Sequence, residues 1–238
     1  MSRSNPTPNN PAEKHFRYQG STGILQWYDR DEKKMQDVTI PFRFLVLDEL
    51  STIGGFSDSH KSGIWANEVR STKDLLNVRT SAGQLAIGSY DVIKDALKAA
   101  GGKYARSVYI AYQEVTETSS DWKVGNIKMT GAALGAWFDF KRKNNVEEGA
   151  IELTGSTTDK TGSVTYHIPT FEAVPVDDDA DAIATRLDKA LQAYLNLTVE
   201  ARAKNPVAEP IDVSEAHEGD ATPPSEERTD IDLSEIPF

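Results

Sequence analysis

Aromatic rings and cations interleave along several short stretches of this chain. Together they suit one kind of chemistry: flat faces on which bases stack, beside cations that meet phosphates. The stretch from Lys103 to Gln113 fits that need. At period two, Tyr104, Arg106, Val108, Ile110 and Tyr112 share one face, and Ala105, Ser107, Tyr109 and Ala111 share the other. The small neighbours of Tyr109 leave its ring either open to a base or packed beneath a loop. Trp65, between Lys61 and Arg70, is either a stacking platform or a core residue. Lys61, Arg70, Arg79, Lys103, Arg106, Lys123 and Lys128 all lie on or next to β-like runs, the distribution that backbone phosphate contacts require. Lys141-Arg142-Lys143 is a further basic cluster, able to meet nucleic acid or to dock an acidic segment. The candidate contacts are therefore Lys61, Trp65, Arg70, Arg79, Lys103, Tyr104, Arg106, Tyr109, Lys123 and Lys128.

Other chemistries find no support. With no cysteine there is no disulfide, zinc ribbon or thiol nucleophile. The four histidines, His15, His60, His167 and His217, show no helical metal spacing. Ala100-Gly101-Gly102-Lys103 lacks the upstream glycine and the following Ser or Thr of a phosphate loop. Asp177 to Asp188 has Ala182 where a calcium loop needs glycine, and it lacks the closing Glu. Asp48-Glu49 is a lone carboxylate pair, and no Gly-x-Ser-x-Gly or kinase motif is present. No catalytic constellation, cofactor or metal is expected.

Strands must position these side chains. Ile24–Tyr28, Val38–Leu47, Ile64–Val69, Leu76–Thr80 and Gln84–Ile87 read as β runs, with a charged turn at Asp29–Lys34 and a break at Gly54-Gly55. Residues 89–100 switch to helical spacing and stop at Gly101-Gly102. Tyr104–Val115 and Val124–Met129 are strands, 130–140 favours a short helix, and Ile151–Thr154 with Val164–Val174 forms a last hairpin. The pattern predicts a mainly β fold: an OB-fold-like Greek-key barrel with one or two inserted helices, although a β-sandwich would share it.

Charge divides the chain. The net charge of −11 lies entirely in residues 177–238, which hold 16 acids and 5 bases; residues 1–176 are neutral. The expected organisation is a disordered proline-rich segment at 1–15, a folded domain at 16–176, an amphipathic helix at 177–204 and a disordered acidic tail at 205–238. Ile183, Leu187, Ala190, Leu191, Tyr194 and Leu195 form the apolar stripe of that helix. Either its own barrel or the second subunit of a homodimer must cover it. No apolar run approaches a membrane span and the first residues carry no secretory signal, so a soluble, cytoplasmic protein is expected.

The acidic segment ends on Asp230, Asp232, Glu235, Ile236, Pro237 and Phe238. This resembles the tip of bacterial and phage single-stranded DNA-binding proteins, in which acids precede Ile-Pro-Phe or a terminal Phe, although Ile231, Leu233 and Ser234 interrupt the acids here. The core stretches Thr22–Tyr28, Phe42–Leu50, Lys61–Val69 and Ala100–Tyr109 are similar to the phage-encoded members of that family, over about residues 16–200. The resemblance implies a non-enzymatic OB-fold that coats single-stranded DNA during phage replication or recombination, in the host cytoplasm. It also implies that the tip recruits replication or recombination proteins through one aromatic anchor and charge pairing. The alternative is a β-barrel adaptor that binds protein and no DNA, which the neutral core favours.

Overall fold

The computed structural model describes residues 9–115 and 119–204. The expected class holds: the chain is mainly β, and its described residues form one mixed sheet and three helices.

A single long strand, β4 (Phe42–Ser57), organises the sheet. One of its edges is taken by β8 (Gly102–Val115), from Phe44↔Tyr112 to Gly55↔Gly102. Its other edge is shared: β10 (Ala150–Thr161) pairs with its first residues, and β5 (Ser62–Ala66) with its last. Beyond β5 a meander continues through β6 (Leu76–Thr80) and β7 (Gly83–Gly88). Beyond β8 lies β9 (Ser120–Thr130), then β1 (Ala12–Gln19) in parallel, then β2 (Ile24–Asp29) and β3 (Lys34–Asp37). β11 (Val164–Val174) completes a hairpin with β10, and its His167 N–H donates to the Gly20 carbonyl at 2.7 Å. That bond links the hairpin to the β1–β2 turn and closes a ring of β1, β9, β8, β4, β10 and β11.

The ring encloses Phe16, Leu25, Phe44, Val108, Ile110, Ile127, Met129, Ile151 and Leu153. Helix α2 (Gly131–Lys143) plugs it with Trp137, whose ring lies 5.3 Å from Phe171 and 6.4 Å from Phe44. Helix α1 (Tyr90–Ala100) buries Ile93 and Leu97 against the same core and stops at Gly101, in the left-handed region at φ 89° as its sequence predicts.

Three expectations about organisation change. Residues 12–15, placed in the disordered segment, form the start of β1, because pairing with β9 supplies backbone partners that polar composition does not advertise. Lys34, read as the end of a charged turn, opens an edge strand that runs to Asp37 and whose charges face solvent. Gly54-Gly55 does not break β4. A Cβ on Gly55 would stand 2.4 Å from the Gly101 carbonyl, so the glycine lets β4 pass the α1–β8 turn while it changes partner.

Helix α3 (Asp178–Lys204) opens with the Ala180 N–H donating to the Asp177 carboxylate at 2.7 Å. Its stripe covers the outer face of the same chain's barrel: Ala180 and Ala184 pack on Leu45 and Ala111, and Leu191, Tyr194 and Leu195 on Leu50, Tyr109, Val124 and Ala12. Ala180 and Ala184 take the buried place expected of Ala190, which is exposed.

Candidate nucleic-acid interface

The half of the outer face that α3 leaves uncovered is organised by strand register. Arg79 on β6 stands opposite Trp65 on β5, Trp65 opposite Gly54 on β4, and Gly54 opposite Lys103 on β8. Directly opposed residues share a face, so these four make one row across four strands. One step along, Phe56 stands opposite Gly63. Each aromatic thus faces a glycine. A Cβ on Gly63 would meet nothing within 4 Å, so among the described residues no side chain closes over that position. Phe56 is 38% exposed and Trp65 is half-buried. Two rings set against glycines, with the Gly63 position open and the Lys128 stem beside Gly54, form a platform on which bases can stack.

Cations border the platform. The Lys128 side chain reaches to 3.5 Å from where a Gly54 Cβ would be, and Arg17 on β1 stands opposite Lys128. Lys103 is exposed beside Gly54. Lys61 is exposed in the β4–β5 turn, 4.0 Å from Asp58.

His15 neighbours this cationic border. It stands opposite Asn126, and burial together with the charges of Lys128 and Arg30 lowers its pKa to about 4. The folded protein therefore holds His15 neutral at a pH where the unfolded chain, with the ordinary value of 6.5, takes up a proton. Its contribution is complete above that value and is lost as pH falls toward the folded value. Between pH 6.5 and 4.5, stability is expected to drop at up to about 1.4 kcal/mol per pH unit. His15→Asn flattens that slope in denaturation midpoints measured across the window. Glu114, held below the usual carboxylate range chiefly by its hydrogen bond from Lys14, adds its own loss only at lower pH.

The structure separates the sequence-predicted residues into two groups. Lys61, Trp65, Arg79, Lys103 and Lys128 lie on or beside the open face. Tyr109, expected to offer an open ring, is 1% exposed: it lies under α3, and its hydroxyl donates to Glu68 at 2.7 Å. Tyr104 is buried on the inner face, 2.8 Å from the Ser51 hydroxyl and edge-on to Tyr90. Arg106 shares that inner face, donates to Ser51 at 2.8 Å and lies over Phe138. Arg70 is tied to Asp48 at 2.9 Å and to Gln192 of α3 at 2.8 Å, a latch for the helix. Lys123 pairs with Glu13 at 2.5 Å and Glu114 at 3.5 Å, and the Glu13 hydrogen bond raises its pKa. In the basic cluster, Lys141 donates to Glu49 at 2.7 Å and Arg142 to Asp139. Asp230, Asp232, Glu235, Ile236, Pro237 and Phe238 lie outside the described residues.

Sequence reasoning missed Phe56, Arg17 and the two glycines. The signal was the pair Gly54-x-Phe56 and Gly63-x-Trp65, two aromatics each two residues after a glycine. It became legible only when the register set each glycine against the other strand's ring. Among the described residues no cluster of His, Asp and Glu could hold a metal, and no helix is long and apolar enough to cross a membrane. No family model, no curated protein and no solved structure matches the chain.

Proposed function

We propose that this chain is a non-enzymatic protein that binds single-stranded DNA without strong sequence preference, of the phage replication and recombination type. The observation that carries the reading is the Phe56–Trp65 platform on its glycine floor, bordered by Arg79, Lys103, Lys128 and Arg17. Stacking on rings tolerates any base, and cations along the row track the backbone. The resemblance of the core stretches and of Asp230–Phe238 to phage single-stranded DNA-binding proteins supports the same reading. In this reading residues 205–238, with ten acids against one base, compete with DNA for the cationic row and recruit partner proteins through Ile236-Pro237-Phe238.

The test is fluorescence anisotropy of labelled oligo-dT and of a matched duplex at several salt concentrations. The single strand is expected to bind in preference, with a log–log salt slope of about −0.7 per phosphate contacted. Arg79→Gln and Lys103→Gln each flatten that slope by roughly one such contact. Removing 205–238 tightens binding, most strongly at low salt, where competition between charges is least screened. If neither the full chain nor the shortened one binds either DNA, the reading fails and the protein-binding alternative takes its place.

A further inference from the structure

Among the described residues the sheet path has two ends, β3 and β7, and they are built differently. β3 has four residues, of which Lys34 and Asp37 are charged, and Lys33 precedes it. Short length and charge are the devices by which edge strands repel other strands. β7 reads Gly-Gln-Leu-Ala-Ile-Gly; it has no charge and no proline, and among the described residues it pairs only with β6. Exposed aliphatic side chains border it: Ile87 on the strand at 45%, Leu75 beside its partner strand at 60%, and Val92 in the first turn of α1 at 78%. Unpaired N–H and C=O groups next to apolar surface favour the addition of another strand.

We infer that β7 is an interface with a second copy of this chain, the two β7 strands running antiparallel about a two-fold axis. The charges nearby fit a copy of the same surface. β7 contributes none, and α1, which follows it after Ser89, exposes Asp91, Lys94, Asp95 and Lys98. A two-fold axis brings this balanced set against its own reverse, acid toward lysine, without net repulsion. Antiparallel pairing also keeps the same face of both sheets on one side. Gln84 stands opposite Arg79, so the row from Lys103 through Trp65 to Arg79 runs on toward the shared edge. The interface itself does not depend on the DNA reading.

Size-exclusion chromatography with light scattering tests the inference on the full chain across a range of concentrations. The expected mass is twice the 26.2 kDa of one chain. The double variant Ile87→Lys/Val92→Lys is expected to elute as a folded monomer by circular dichroism, while Met35→Lys at the β3 edge stays dimeric. A monomeric wild type overturns the inference, as does a dimer that survives the double variant. Hydrogen exchange on the wild type decides the matter even if the double variant does not fold. The β7 amides are expected to lose protection on dilution to monomer; exchange that does not change with concentration overturns the interface.

Discussion

Oligo-dT affinity is expected to fall by roughly two orders of magnitude when Phe56 and Trp65 are both replaced by alanine, since each base stacked on a ring contributes ~1–3 kcal/mol. The salt slope should stay as in the wild type, because no phosphate contact is removed. That pairing of outcomes separates lost stacking from lost charge. Both rings stand on the outer face opposite glycines, so truncating them opens no cavity in the barrel core. Tyr109→Phe is the informative control. Its ring is buried under α3, and removing the hydroxyl deletes the bond to Glu68, a loss of roughly 1 kcal/mol in stability with DNA affinity unchanged. If the double variant binds as tightly as the wild type, the platform is not where DNA lies. If Tyr109→Phe weakens DNA binding as well, α3 must leave the barrel on binding.

The largest expected effect on stability is at Trp137. Trp137→Ala should cost about 3–5 kcal/mol, a large part of the ~5–15 kcal/mol that holds a domain folded. The side chain is completely buried and holds α2 in the barrel against Phe44, Phe140 and Phe171. Guanidinium denaturation should show a lower midpoint with an unchanged slope, the mark of a weaker native state rather than an altered unfolded one. Trp137→Phe should cost much less. It keeps an aromatic ring and removes an indole N–H that is buried without a hydrogen-bond partner among the described residues. A loss below about 1 kcal/mol for the alanine variant would mean that α2 does not anchor the core through this residue.

The platform and the plug differ in how far they could be read from the chain. Helix α1 was legible because its apolar residues recur at helical spacing and end at Gly101-Gly102. β8 was legible because its period-two pattern is long and unbroken. Which face of β8 turns inward was not. Both faces carry rings, Tyr104 and Tyr112 on one and Tyr109 on the other, and the small residues around Tyr109 suit an open site and a helix-covered one equally. The cations were found as a set, yet their roles depended on partners far away: Lys123 on Glu13, Arg70 on Gln192, Lys141 on Glu49.

By itself the sequence determined what depends on near neighbours: the β and helical periods, the helix stop at Gly101, the stripe of α3 and the acidic excess after residue 177. These follow from side-chain spacing and from electrostatics summed over short stretches. Only the tertiary structure decided which stripe meets which face and which residues stand opposite one another. It laid α3 over Tyr109, ran β1 parallel to β9, and matched Gly54 with Trp65 and Phe56 with Gly63. The physical reason is that register and face are set by burial of the whole apolar surface at once, and a one-residue slip in any strand would turn every side chain on it to the other side.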